Sequence, residues 1–156
     1  MALKIKKERA KRLYVESPEW FKAELIEEFG EECFKKINFE DILTFDDACR
    51  ACGTTEAEFN AKFEKLGLAQ DTLFYEKLKI IAKAINQGWV PDMGNTNQYK
   101  YYPWFAVLPS GSGFSNSAYF FTSAVTSVGS RLCYETAEKA KYAGTQFIEI
   151  YKKYLL

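Results

Sequence analysis

Histidine is absent from this 156-residue chain. Because histidine is the commonest general base and metal ligand, its absence excludes catalytic triads of the Ser-His-Asp and Cys-His types. Long apolar runs are also lacking, so the sequence predicts no membrane-spanning segment. The first residues carry charges without a following apolar stretch. We therefore expect no signal peptide, a cytoplasmic location and reduced thiols.

The chain also lacks a net charge, because it contains 21 basic and 21 acidic residues. The whole chain therefore has no electrostatic drive toward nucleic acid. Residues 1–12 are an exception, because six basic residues and one acid give this N-terminal arm a net charge of +5. An arm of this kind can contact phosphate backbones, and it is also typical of a solvated chain end. Its basic residues are Lys4, Lys6, Lys7, Arg9, Lys11 and Arg12.

The chain has few cysteines, and two of its four, Cys49 and Cys52, form a CxxC spacing. Such a pair occurs in zinc sites and redox sites. Cys33 and Cys133 are isolated, whereas structural zinc sites usually use two close pairs. The CxxC pair also falls on the apolar face of a predicted helix, which favours packing in the core. We predict no metal and no other cofactor, and metal binding by Cys49 and Cys52 stays open.

Four helices are predicted within residues 1–88, each from a capping residue at its start and a glycine after its end. They begin at Ser17, Thr44, Thr54 or Thr55, and Asp71, and they end at Gly30, Gly53, Gly67 and Gly88.

The pattern changes to that of strands after residue 88. Residues 100–108, 117–126 and 131–134 are predicted strands, residues 109–113 a hairpin loop, and Thr136 the start of a last helix. Pro103 indicates an edge position or a bulge in the first strand. The predicted fold is α+β: an N-terminal helical half of about four helices, a three-stranded antiparallel meander and a C-terminal helix. We expect a single domain over residues 1–156, with a helical subdomain (1–88) and a sheet-plus-helix subdomain (89–156).

Aromatic residues are abundant at 17% of the chain, and they concentrate in the block NQYKYYPWF at residues 97–105. Such a block either fills a core or forms a binding surface, because aromatic side chains bury large areas and are enriched at interfaces. Both interpretations stay open. The candidate binding surface comprises Trp89, Asp92, Tyr99, Lys100, Tyr101, Tyr102, Trp104 and Arg131.

No motif arranges nucleophiles or paired acids for catalysis, so we assign no catalytic residue. Asp92 is the first candidate if the chain is an enzyme, since polar loop residues surround it; a turn-capping role explains it too. The favoured function is a non-catalytic binding or accessory protein that meets a protein partner, or a second copy, through the aromatic surface. The alternative is a nucleic-acid accessory protein that uses the basic arm, with Lys100 and Arg131 beside stacked bases.

Five segments carry a resemblance to a known family: TFDDACR (44–50), GWVPD (88–92), NQYKYYPWF (97–105), GSRLCY (129–134) and AKYAGTQF (140–147). In this order the chain resembles a family of small hypothetical proteins from bacteriophages, prophages and related mobile elements. The resemblance covers about residues 42–156 and leaves out the basic arm. It implies a phage or prophage origin and a location in the host-cell cytoplasm, and it implies no activity, cofactor or functional residue.

Overall fold

The computed structural model describes residues 5–34, 38–107, 114–122 and 130–156. The contacts divide the chain into two compact units, Met1–Asn38 and Phe39–Leu156. The predicted single domain, with subdomains meeting near residue 88, stays a prediction.

The first unit contains two α-helices, α1 (Lys7–Glu16) and α2 (Glu19–Phe29), and a short 3-10 helix. Helix α2 was predicted, and Gly30 ends it with a φ of +80°, a conformation that glycine adopts without strain. Helix α1 was not predicted, because its many charges suggested a solvated end. Tyr14 of α1 stacks on Phe34, with ring centroids 4.4 Å apart, which connects α1 to the segment that follows α2.

The described residues of the second unit form five α-helices, and threonine side chains cap the starts of three of them. The Thr44 hydroxyl accepts a hydrogen bond from the Asp47 N–H, and Thr55 and Thr136 cap two further helices in the same way. The predicted caps at Thr44 and Thr136 are thereby confirmed, and Thr55 is the cap where two threonines were possible. The predicted caps Ser17 and Asp71 are wrong, because the helices Glu19–Phe29 and Gln70–Asn86 have no side-chain hydrogen bond at their N-caps. The helices are α3 (Phe45–Ala51), α4 (Glu56–Glu64), α5 (Gln70–Asn86), α6 (Ala137–Gln146) and α7 (Ile148–Leu155).

Two antiparallel strands form a hairpin, β1 (Lys100–Val107) and β2 (Phe114–Thr122). The register shifts between Trp104, which pairs with Ala118, and Phe105, which pairs with Asn116, so the extra residue of the bulge is in β2. The bulge predicted in the first strand is therefore wrong. Pro103 pairs regularly with Tyr119, and the described sheet has two strands, so the proline occupies the edge strand that was the other prediction. The predicted loop at 109–113 and the end of the second predicted strand, at 123–126, lie outside the described residues.

The predicted α+β fold with a three-stranded meander and one C-terminal helix is wrong. The described residues are mostly helical, with seven α-helices, and residues Ser130–Leu132 form a 3-10 helix where the third strand was expected. A single bridge joins Tyr134 to Tyr101 of β1. A strand with one covered face alternates buried and exposed side chains, whereas residues 132–134 are all buried. The predicted last helix is two helices, because the backbone breaks at Phe147.

Helix α5 provides much of the core of the second unit. Its residues Leu78, Ile81 and Ile85 are fully buried and recur with helical period. The hairpin joins the same core through Phe105, whose ring lies 4.9 Å from that of Tyr151 in α7.

A hydrogen bond between two buried tyrosines lies inside this core. The hydroxyls of Tyr134 and Tyr151 are 2.9 Å apart, and both residues are almost fully buried. Burial raises the pKa of Tyr134 and of Tyr151 well above the ordinary tyrosine value, so both hydroxyls stay protonated at physiological pH. Each hydroxyl therefore needs the other as its partner.

The substitution Tyr134→Phe should lower the free energy of unfolding by about 1–3 kcal/mol, because the Tyr151 hydroxyl is left buried without its partner. The double variant Tyr134→Phe/Tyr151→Phe should lose less than the two single losses combined, since it leaves no orphaned hydroxyl. Urea denaturation of the four proteins measures this coupling. If the loss of the double variant equals the sum of the two single losses, the hydrogen bond between the two hydroxyls is contradicted.

Candidate functional site

Three aromatic side chains meet at one end of the hairpin, and we call Tyr99, Tyr101 and Phe121 the aromatic cluster. Tyr101 and Phe121 are opposite each other in the β register, so both lie on the same face. Tyr99 meets Phe121 edge to face, with centroids 5.2 Å apart. Tyr99 and Phe121 are each 51% exposed, whereas Tyr101 packs partly against the core. The cluster is thus anchored on one side and open on the other.

Trp104 is a further exposed aromatic residue of the hairpin, with 55% of its side chain accessible. It is three residues from Tyr101, so the alternation of the strand places it on the opposite face. Tyr102 shares this second face and is half-buried. Both faces of the hairpin therefore present aromatic surface, although only one of them covers the core.

Lys100 lies between two residues of the aromatic cluster along the chain, but its side chain is 1% exposed. Its Nζ donates a hydrogen bond to the Asn95 carbonyl, 2.9 Å away. Burial of an ammonium group is unfavourable unless it is hydrogen-bonded, so this contact ties the preceding loop to β1. Lys100 is therefore a buried anchor of the loop and not a surface cation.

Asp92 caps a turn in the same loop. Its Oδ1 accepts a hydrogen bond from the Gly94 N–H at 2.9 Å, and its own N–H donates to Oε1 of Gln98 at 2.7 Å. The Asn95 side chain accepts from the Asn97 N–H in a second turn. The polar residues of this loop thus stabilise its own bends.

Trp89 and Arg131, predicted as surface residues, line one cleft of about 350 Å³. The last turns of α5, the loop that follows, and the segment around residue 131 form its walls. We call it the basic cleft, because three cations line it: Lys79, Lys83 and Arg131. Sequence reasoning missed the two lysines, although Lys79, Lys83 and Asn86 lie on one helical face just before Trp89.

The backbone turns at the end of α5 and continues into the loop that lines this cleft. Gln87 has a φ of +51° and Gly88 a φ of +92°, and the Gln87 N–H bonds back to the Lys83 carbonyl. Asn86 then joins the helix to the opposite wall. Its buried side chain donates to the Cys133 carbonyl at 2.8 Å and accepts from the Glu135 N–H at 3.1 Å.

The cleft has a positive electrostatic character. Lys79 is paired with Glu76, whereas no carboxylate of the described residues lies within 4.0 Å of the charged groups of Lys83 or Arg131. Burial raises the pKa of Cys133 to about 11, so this wall residue is a neutral thiol at physiological pH. Lys83 and Arg131 therefore line the cleft without an ion-pair partner among the described residues.

The CxxC cysteines lie in the core region of the second unit. Burial raises the pKa of Cys49 and of Cys52 to about 11, and the Cys52 thiol donates to the Ile80 carbonyl at 3.6 Å. Within the described ranges, no group of three histidine, cysteine or acidic side chains could hold a metal ion.

The basic N-terminal arm belongs to the first unit, and residues 7–12 of it are helical. Lys7, Arg9 and Lys11 are part of α1, and Lys6 precedes it. Lys6, Lys7 and Arg9 are exposed. Lys4 and the side chain of Arg12 lie outside what the structure describes. The described helices include none that is long and apolar enough to cross a membrane.

Comparisons with protein-family models, with curated proteins and with solved structures find no match to this chain. The phage or prophage origin and the functional expectations therefore stay predictions, and the geometry alone has to support any function.

The substitution Asn86→Ala should lower the free energy of unfolding by about 1–3 kcal/mol, because a buried carbonyl and a buried N–H lose their partners. Asn60→Ala is the control, since the described residues include no hydrogen-bond partner of the Asn60 side chain and α4 should tolerate alanine. Thermal and urea unfolding measure both variants. Equal effects at the two positions would show that Asn86 does not join the cleft walls.

The free energy of unfolding should also fall as the pH rises from about 9 to about 11. Folding holds the thiols of Cys49, Cys52 and Cys133 neutral, with each pKa raised to about 11 by burial. The thiols of the unfolded chain lose their protons at a lower pH than those of the folded chain. The free energy of the unfolded state therefore falls relative to that of the folded state as the pH rises across this range. Urea titrations at successive pH values measure the decline, which should be shallower for Cys133→Ala. An unchanged slope in that variant would contradict the burial of the thiol.

Proposed function

We propose that this chain is a non-catalytic binding protein that contacts a protein partner through the exposed aromatic side chains of its hairpin. One observation carries the proposal: Trp104 and Phe121 in the hairpin, and Tyr99 directly before it, are each about half exposed. Exposed large aromatic residues are typical of the centres of protein interfaces.

The geometry of the aromatic cluster suits such a role. Phe121 and Tyr99 hold each other edge to face, and Tyr101 supports both from the core side. A partner would meet side chains that are already ordered, which reduces the entropy lost on binding. Each tyrosine also combines a large apolar ring with a hydroxyl for a directed hydrogen bond.

The loop residue considered for catalysis has a structural task instead. The Asp92 carboxylate caps its own turn through Gly94, which supports a binding role over an acid–base role. The resemblance to small phage and prophage proteins supports the cytoplasm of a bacterial host as the setting. The partner in this proposal is then a host or phage protein, or a second copy of the chain.

Substitution of Phe121 by serine should weaken partner binding by about 30-fold or more, the loss typical of a central interface aromatic. Tyr99→Ala should act in the same direction. Leu66→Ser is the matched control, because Leu66 is 57% exposed and lies outside the hairpin.

Two measurements identify the partner. Sedimentation velocity over a range of concentrations tests self-association, which Phe121→Ser should abolish. A photo-crosslinking residue at position 121, compared with one at position 66, tests capture of another protein in bacterial cells. A strict monomer whose position 121 gives no discrete adduct beyond that of position 66 would refute the proposed function.

The nucleic-acid alternative is favoured by one observation, the exposure of Lys6, Lys7 and Arg9. If the arm binds strands, the affinity for single- and double-stranded DNA and RNA must fall steeply with salt. Replacement of these three residues by alanine must then reduce the slope. The proposed function predicts no strand binding that depends on these three residues. Filter binding at low and physiological salt separates the two.

A further inference from the structure

The basic cleft lies outside the aromatic cluster, and the proposed function does not use it. Arg131 is exposed, and Lys83 is exposed one helical turn from Asn86. Both residues line the same cleft, and neither has a carboxylate partner among the described residues. Clustered like charges repel each other, so an anion bound between them would stabilise this arrangement.

The remaining wall of the cleft is apolar. Trp89 is half-buried there, and Pro91 and Met93 extend the surface along the loop. The backbone N–H of Trp89 donates to the Asn86 carbonyl at 3.0 Å, which holds this part of the loop to the end of α5. A flat ring can lie against this wall, while a volume of about 350 Å³ falls within the range of small-molecule sites.

The basic wall and the apolar wall together indicate which kind of ligand the cleft can bind. Arginine binds phosphate through two parallel hydrogen bonds, and lysine adds a point charge. An indole ring stacks on the flat face of a heterocyclic base. We propose that the basic cleft binds a nucleotide, with the phosphate held by Arg131 and Lys83 and the base against Trp89.

Lys79 and Asn86 have other tasks in the same walls. Lys79 is paired with Glu76, and both polar ends of the Asn86 side chain are hydrogen-bonded to backbone groups. Lys83 also stabilises the negative end of the α5 dipole, a role that affects stability without any ligand. Ligand affinity and stability therefore have to be measured separately for Lys83.

Fluorine NMR of the full chain labelled with 5-fluorotryptophan tests this proposal. The variants Trp20→Phe, Trp89→Phe and Trp104→Phe assign the three tryptophan signals. Adenosine monophosphate should shift the Trp89 signal in a saturable way and leave the other two unchanged. Adenosine and inorganic phosphate, which each lack one half of the ligand, should bind more weakly. Absence of a saturable shift at Trp89 would overturn the proposal.

Arg131→Met should weaken the nucleotide affinity by at least about tenfold, the loss of one charge-assisted contact, and Lys83→Met should act in the same direction. Lys152→Met is the control, because this exposed lysine lies on α7 away from the cleft residues. Circular dichroism and thermal unfolding show that each variant is folded, and Arg131→Lys provides a milder change if Arg131→Met is not. Equal affinities for wild type, Arg131→Met and Arg131→Lys would overturn the assignment.

The same chemistry can come from a free nucleotide or from the 5′-phosphorylated end of a strand. A 5′-phosphorylated trinucleotide, titrated in parallel, distinguishes them: tighter binding than the mononucleotide assigns a strand end, and equal or weaker binding assigns a free nucleotide. Tighter binding of inorganic phosphate than of either would contradict the nucleotide. None of these outcomes depends on the aromatic cluster, so the proposed function and the nucleotide site can fail independently.

Discussion

Tyr134 and its two neighbours, Cys133 and Glu135, hold β1, α7 and α5 of the second unit together. The Tyr134 backbone exchanges two hydrogen bonds with Tyr101 of β1, at 2.8 and 3.1 Å, and its hydroxyl meets that of Tyr151 in α7. The neighbouring residues Cys133 and Glu135 are held by Asn86 of α5. Because each of these polar groups is buried or partly buried, loss of one partner leaves another unsatisfied. The positions of the hairpin and of the basic cleft both depend on this junction.

The junction explains where the exposed side chains lie. Tyr101 and Phe105 pack against the core on one face of β1. Tyr99 and Phe121 lie at the solvent-exposed end of that face. The alternation of the strand then turns Trp104 to the other face. Arg131 lines the cleft because it belongs to the 3-10 helix that directly precedes Cys133, which is another lining residue. Two surfaces with different chemistry thus follow from one set of buried contacts.

Local chemistry was predictable from the sequence, and long-range pairing was not. The caps at Thr44 and Thr136 need only residues three positions away, so the sequence predicts them correctly. The segment 131–134 has strand-like residues, but its conformation is set by contacts with α5 and α7, which no local pattern contains. Helix α1 was missed because charged residues suit both a helix surface and a solvated end.

The candidate site shows the same difference between features that depend on nearby residues and features that depend on the whole fold. The sequence left open whether the aromatic block fills a core or forms a surface, and the structure contains both cases. No local pattern distinguishes buried Lys100 from exposed Trp104 within the block. Arg131 and Trp89 are 42 positions apart, and only the fold brings them to one cleft with Lys83. A search for cations spaced by one helical turn beside a tryptophan would have found Lys79 and Lys83 on α5.

Native-state amide hydrogen exchange tests the central junction most directly. The amides of Tyr101 and Tyr134 donate to each other's carbonyls inside the fold, so they should exchange as slowly as the core amides of α5, such as that of Ile81. Exchange of these two amides at rates typical of exposed loops, while α5 stays protected, would contradict the account.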